Sequence, residues 1–182
     1  MASGDNEDGE DGEDGEDAAP AGAGSRDPRT LAKLVQGTNI HEETLLATDY
    51  LNHLNEIIML LGMIPSMPEC LEDAHAWEPK TYVQHFRDSS FADKDLAVFA
   101  YENAPERYRL PFESTIAHIN DLAAEGIADI EKVLETGEQG RIDDTVATIS
   151  RNMQKFIDVA SAIIHGDVRT MDQAEIDGIM TN

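Results

Sequence analysis

Two tetrapeptides in this chain pair an imidazole with an acid one helical turn away: His53-Leu54-Asn55-Glu56 and His118-Ile119-Asn120-Asp121. Residues three apart share a helical face, so each run presents two metal-ligating groups together, and Asp49 adds a carboxylate one turn before His53. Di-metal bundles of the ferritin-like kind, however, draw Glu-x-x-His from two helices with further inward Glu residues. Here the order is reversed, and the last long helix offers no matching pair. At about 100° per residue, His118 and Asp121 fall far from the centre of their apolar stripe, which predicts that both face solvent. His53 flanks a second apolar edge with Leu46, Tyr50 and Leu60 and reads as a partly buried, hydrogen-bonded histidine. An exposed imidazole on a bundle can instead carry a phosphoryl group, with His118 the candidate. Asp121 and Glu125 lie within two turns of it, and Asp49 and Glu56 neighbour His53, so added negative charge would meet like charge. A metal-binding bundle and a histidine phosphotransfer protein are therefore alternatives rather than the leading reading, and no metal site or cofactor is expected.

Nucleophilic catalysis has little to work with. The chain lacks Gly-x-Ser-x-Gly, a phosphate loop and His-Glu-x-x-His. Its single cysteine, Cys70, is surrounded by Glu69, Glu72 and Asp73, which oppose a lowered thiol pKa, so a packed thiol is expected. With 13 Lys and Arg against 37 Asp and Glu, the formal charge is −24. That balance argues against nucleic acid and anionic membrane as partners, since phosphate contacts need clustered cations. It is also what a salt-adapted surface would show. One cysteine permits no internal disulfide, and the acidic N-terminus has neither the cationic nor the apolar region of a signal peptide, so a cytoplasmic location is expected.

The elements that must position these groups are helical. Residues 1–29 carry the repeat Glu7-Asp8-Gly9, Glu10-Asp11-Gly12, Glu13-Asp14-Gly15 and an Ala/Pro/Gly stretch, a composition that predicts a disordered acidic tail. Between Asp5 and Asp17 it holds nine acids; without them 28 acids still face 13 bases. Residues 30–166 read as a helical bundle domain. Asn39 and Glu42 suggest a capping box, and Ile40, Ala47, Leu51, Leu54, Ile58 and Leu61 recur at spacings of three and four, predicting a first long helix over 39–62. Its second half, Ile57 to Leu61, is apolar nearly all round, as befits the centre of a core. Four prolines punctuate 65–105, with short amphipathic pieces near 68–77, 81–87 and 93–103. Six of the ten aromatic residues fall there, so this insert is expected to fold over the bundle as a cap. Phe112, Ile116, Ile119, Ala123, Ile127, Ile130 and Leu134 mark a second long helix; Val146, Ile149, Met153, Ile157, Ala160 and Ile164 mark a third. Gly137 to Gly140 turn between them, and Gly166 ends the last. The expected architecture is all-α, an up-and-down bundle of three long helices with a short-helix insert. Its helix-one apolar face is open to completion within the chain or through a homodimer.

Residues 167–182 form a linker and a separate helical signature, Thr170-Met171-Asp172-Gln173-Ala174-Glu175-Ile176-Asp177-Gly178-Ile179-Met180. Asp172 can cap it with Glu175 closing a capping box, and Met171 and Ile176 sit where a hydrophobic staple would join. Ile176, Ile179 and Met180 share an apolar face. Eight or nine residues are too few for a stable isolated helix, so the segment should order only against a surface, either a partner's groove or the chain's own bundle.

The run Gln173-Ala174-Glu175-Ile176-Asp177, followed by Gly178-Ile179-Met180, resembles the receiver-docking segment of the flagellar switch protein FliM, whose pattern reads Ser-Gln-Ala-Glu-Ile-Asp-Ala-Leu-Leu. It covers about nine of the 182 residues, and Gly178 stands where that family prefers Ala. The resemblance implies docking of a response-regulator receiver domain, through Met171, Gln173, Glu175, Ile176, Asp177, Ile179 and Met180. The layout of bundle, linker and terminal tether also resembles, loosely, the phosphatase CheZ, but its Asp-x-x-x-Gln pair does not occur on the long helices. Phosphatases of the CheC and CheX kind use Glu-x-x-Asn, and the nearest likeness here is Asp49-x-x-Asn52, with the shorter acid. In that likeness Asn52 would orient water and Asp49 engage the receiver's active site, on an exposed face. The function expected is thus a regulatory protein that docks a receiver in chemotaxis or two-component signalling and modulates its phosphorylation.

Overall fold

The computed structural model describes residues 28–167 and 173–180, and every regular element among them is helical. In chain order these are α1 (Pro28–Val35), a 3₁₀ turn (Thr48–Tyr50), α2 (Leu51–Met63), α3 (Cys70–Ala76), α4 (Tyr82–Asp88), α5 (Lys94–Glu102), α6 (Glu106–Leu134), α7 (Gln139–Ile164) and α8 (Gln173–Met180). The all-α class is as expected, but two long helices are present rather than three.

The spine is the α6–α7 hairpin, of 29 and 26 residues. Its apolar stripes bury Phe112, Ile119, Ala123 and Ile130 on α6 and Val146, Met153, Phe156, Ile157 and Ile163 on α7. Gly137, at φ +67°, makes the turn, a left-handed conformation that a side chain would oppose. At Gly126 the helices come so close that an added Cβ would lie 2.7 Å from Ile149 Cγ2. α2 packs against α7 and buries Leu51, Leu54, Ile57 and Leu61.

The expected helix over 39–62 fails in its first half. Thr44, Leu45, Leu46 and Ala47 are consecutive and all buried. A helix turns about 100° per residue and cannot aim four successive side chains at one core. The chain instead forms a tight loop closed by an Ile40–Ala47 bridge, with Leu45 at φ +59°. The Thr44 hydroxyl donates to the Ile164 carbonyl (2.7 Å) and so satisfies an end-group of α7. The Asn39–Glu42 capping box therefore starts no helix. The apolar run of α2 is also less enclosed than expected: Ile57 and Leu61 are fully buried, while Met59 is 59% exposed.

The insert matches expectation closely. α3, α4 and α5 fall within one or two residues of the short pieces read from the proline spacing. They cap the bundle through an aromatic cluster: Tyr82 stacks on Tyr101 with centroids 4.3 Å apart and packs edge-on against Phe112. The Ala47 amide donates to the Tyr82 hydroxyl (2.8 Å), and the Tyr50 hydroxyl donates to the Lys80 carbonyl (2.7 Å). Cys70 is buried, as expected of a packed thiol.

At the N-terminal side the expected tail boundary moves. Pro28 and Arg29 belong to α1, which buries Leu31 and Val35 and packs beside α5. Residues 1–27 of that tail, the 168–172 linker and the last two residues lie outside the described residues. No helix among the described residues is long and apolar enough to cross a membrane.

Candidate functional site

α8 occupies the span that the C-terminal pattern indicated, opening at Gln173 and closing at Met180. Met171 and Asp172, the expected staple and cap, lie outside the described residues. Ile176 and Ile179, one turn apart, both turn toward the α6–α7 hairpin. Ile179 is 8% exposed and sits in a cleft of about 510 Å³ lined by Leu122, Gly126, Ile149 and Asn152. Ile176 lies over a smaller cavity of about 290 Å³ lined by Leu110, Pro111, His118, Phe156 and Val159. Glu175 and Asp177 are exposed.

Asn152 fastens this arrangement. Its side-chain nitrogen donates to the Ile179 carbonyl (3.1 Å), and Lys155 Nζ donates to its oxygen (3.4 Å). Asn152 is 6% exposed, a buried amide whose donor meets the carbonyl end of a short helix, where intrahelical partners run out. The sequence reading passed over it. The available signal was a polar residue inside the stripe Ile149, Met153, Phe156.

His118, expected in solvent, is half-buried and stacks on Phe156 with ring planes 5° apart and centroids at 5.6 Å. Its Nδ1 lies 2.8 Å from the Ser114 carbonyl, so Nδ1–H donates there. Phe156 is a neighbour that the periodicity of α6 alone could not supply. Asp121 is exposed, as expected.

The second candidate region lies at the start of α2. Asn52 is exposed and lines a polar cleft of about 480 Å³ with His53, Glu56, Trp77, Lys80 and His85. Asp49 sits one turn earlier, in the 3₁₀ turn. It is half-buried rather than exposed, its Oδ2 is enclosed without a hydrogen-bond partner, and its charge acts on Tyr82 and His85. Asn52 is thus exposed in the open cleft, while Asp49 is half-buried with an enclosed carboxylate oxygen.

His53 is 7% exposed, as its apolar edge suggested. Its Nε2 accepts the Lys80 amide (3.1 Å), its Nδ1 faces Glu56 at 3.6 Å, and its ring stacks on Trp77 at 4.8 Å. Burial holds its pKa below the ordinary 6.5, with His85 and Lys80 adding to the effect and Glu56 opposing it. His85 is lowered in the same direction, first by burial and then by Lys80. Both rings are thus neutral near pH 7. Burial also pushes the Tyr50 hydroxyl up to about 12 and Tyr82 higher still. Among the described residues no group of three or more His, Cys, Asp or Glu is placed to hold a metal ion.

Comparison with protein-family models, curated proteins and solved structures finds no match to this chain.

Proposed function

We propose that this chain is a regulatory protein that docks a response-regulator receiver domain through α8, within chemotaxis or other two-component signalling, and that docking bears on the receiver's phosphorylation. The supporting observation is the form of the Gln173–Met180 segment. It is a short helix in which Ile176 and Ile179, one turn apart, form an apolar ridge, with the exposed Glu175 and Asp177 flanking Ile176 in sequence. A receiver that takes up this helix would bury that ridge, with acidic side chains around it.

The enclosure of the Asp49 carboxylate, whose Oδ2 is shut away from solvent, favours binding over dephosphorylation as the activity. The alternatives draw less support. His53 already spends Nε2 on a backbone amide, which leaves the metal reading without its first ligand. His118 lies beside Ile176 and flat against Phe156, which crowds the approach a phosphotransfer partner would need.

The test is calorimetric titration of the full chain against purified receiver domains from the same organism, with and without a phosphoryl mimic. Micromolar binding that strengthens with the mimic and drops at least about tenfold in Ile176→Ala is expected, in keeping with the loss of a buried aliphatic anchor. Absence of binding to every receiver tried overturns the proposal.

A further inference from the structure

We infer that the groove on the α6–α7 hairpin competes with the receiver for α8, so that the bundle itself sets how readily the docking helix is offered. The inference rests on the docking reading above and concerns its regulation.

Ile176 and Ile179 are the apolar residues that docking would use, and both face the bundle here. Ile179 is buried beside Ile149 and Gly126, its carbonyl is bonded to Asn152, and Lys155 bonds the same amide. A helix of eight residues cannot turn one apolar ridge to two surfaces at once. It is also too short to persist in water with that ridge uncovered. The seat on the bundle and the seat on a receiver are thus mutually exclusive. The apparent affinity for a receiver equals the intrinsic affinity scaled by the fraction of chains with α8 released.

The fastening can be adjusted from the bundle side. Two of its contacts can be altered there: the side-chain hydrogen bond at Ile179, and the seat of Ile176, which Leu110, 53% exposed, helps to line. Weakening either contact raises the released fraction without altering any residue of α8.

The experiment uses the full chain in three forms: unaltered, Asn152→Ala, and Leu110→Ser. The second substitution sits on an exposed residue and leaves the buried core intact. Two readings are taken, the affinity for a receiver carrying the phosphoryl mimic and the hydrogen exchange of the amides in 173–180. Losing one hydrogen bond of ordinary strength corresponds to a change of about three- to tenfold. The expected result is exchange faster by about that factor in both variants, together with receiver binding tighter by the same factor. Faster exchange with unchanged affinity overturns the competition and leaves docking standing. Unchanged exchange in both variants shows that these contacts do not hold α8, and also overturns it. Binding absent in all three forms removes the docking reading and the competition with it, a result the affinity arm separates from the others.

Discussion

His53 shows how one buried side chain makes stability depend on pH. Its folded pKa lies below its unfolded value, because burial disfavours the imidazolium. As pH falls through 6.5 the unfolded chain takes up the proton first, so the native state loses stability there. The contribution is complete above that pH and declines toward the folded pKa, and His85 acts with the same sign. Urea midpoints are therefore expected to fall between pH 7.5 and 5.5, and His53→Gln should flatten part of that fall while lowering stability at pH 7.5. A midpoint that rises on acidification would contradict the assignment. Because Trp77 stacks on His53 in the folded chain, its native-state fluorescence should change only below pH 6.5, as the buried imidazole takes its proton. The sequence placed His53 correctly at an apolar edge. It misplaced His118, because the ring that covers it, Phe156, comes from another helix. Asn152 is similar: its role depends on α8 arriving from 21 or more residues further along the chain, which no local pattern records.

Among the elements, legibility followed the range of the forces involved. α3, α4 and α5 were readable to within a residue or two because prolines and short amphipathic runs act locally. α6 and α7 were readable because their stripes are long. The loop over 39–47 was not, since its conformation is fixed by a remote contact, Thr44 to Ile164, and by four adjacent residues that all enter the core. α1 was missed because it is brief and starts at a proline beside an acidic tail. Local caps yield direct predictions. Thr81 and Gln84 form a reciprocal capping box at α4, so Thr81→Ala should lower stability by about 1 kcal/mol in urea unfolding. Gly126→Ala should do more, about 1–3 kcal/mol, because its Cβ would lie 2.7 Å from the Cγ2 methyl of Ile149, so that the side chain or the helix must shift. A neutral outcome at Gly126 would show that α6 and α7 are less closely seated than the geometry indicates.

At the scale of the whole molecule, charge and tether dominate. A formal charge of −24 on 182 residues is self-repelling, and scattered surface ion pairs such as Lys80–Asp88 and Lys132–Asp129 offset little of it. Raising sodium chloride from about 50 to 500 mM, across which the screening length shrinks severalfold, is expected to raise the melting temperature. A fall would mean that specific ion pairs outweigh the global repulsion. The same acidity narrows the choice of partner, since a surface that binds this chain does best with cationic groups around an apolar groove. The bundle in this account holds and releases a terminal helix, and the docking claim is tested most directly by residue-resolved footprinting. Amide spectra of the full chain are recorded as a receiver carrying the phosphoryl mimic is added. The account predicts that the largest changes fall on 173–180 and on the groove residues Leu122, Ile149 and Asn152 that α8 leaves behind. Changes centred elsewhere, or no change at saturating receiver, would contradict it.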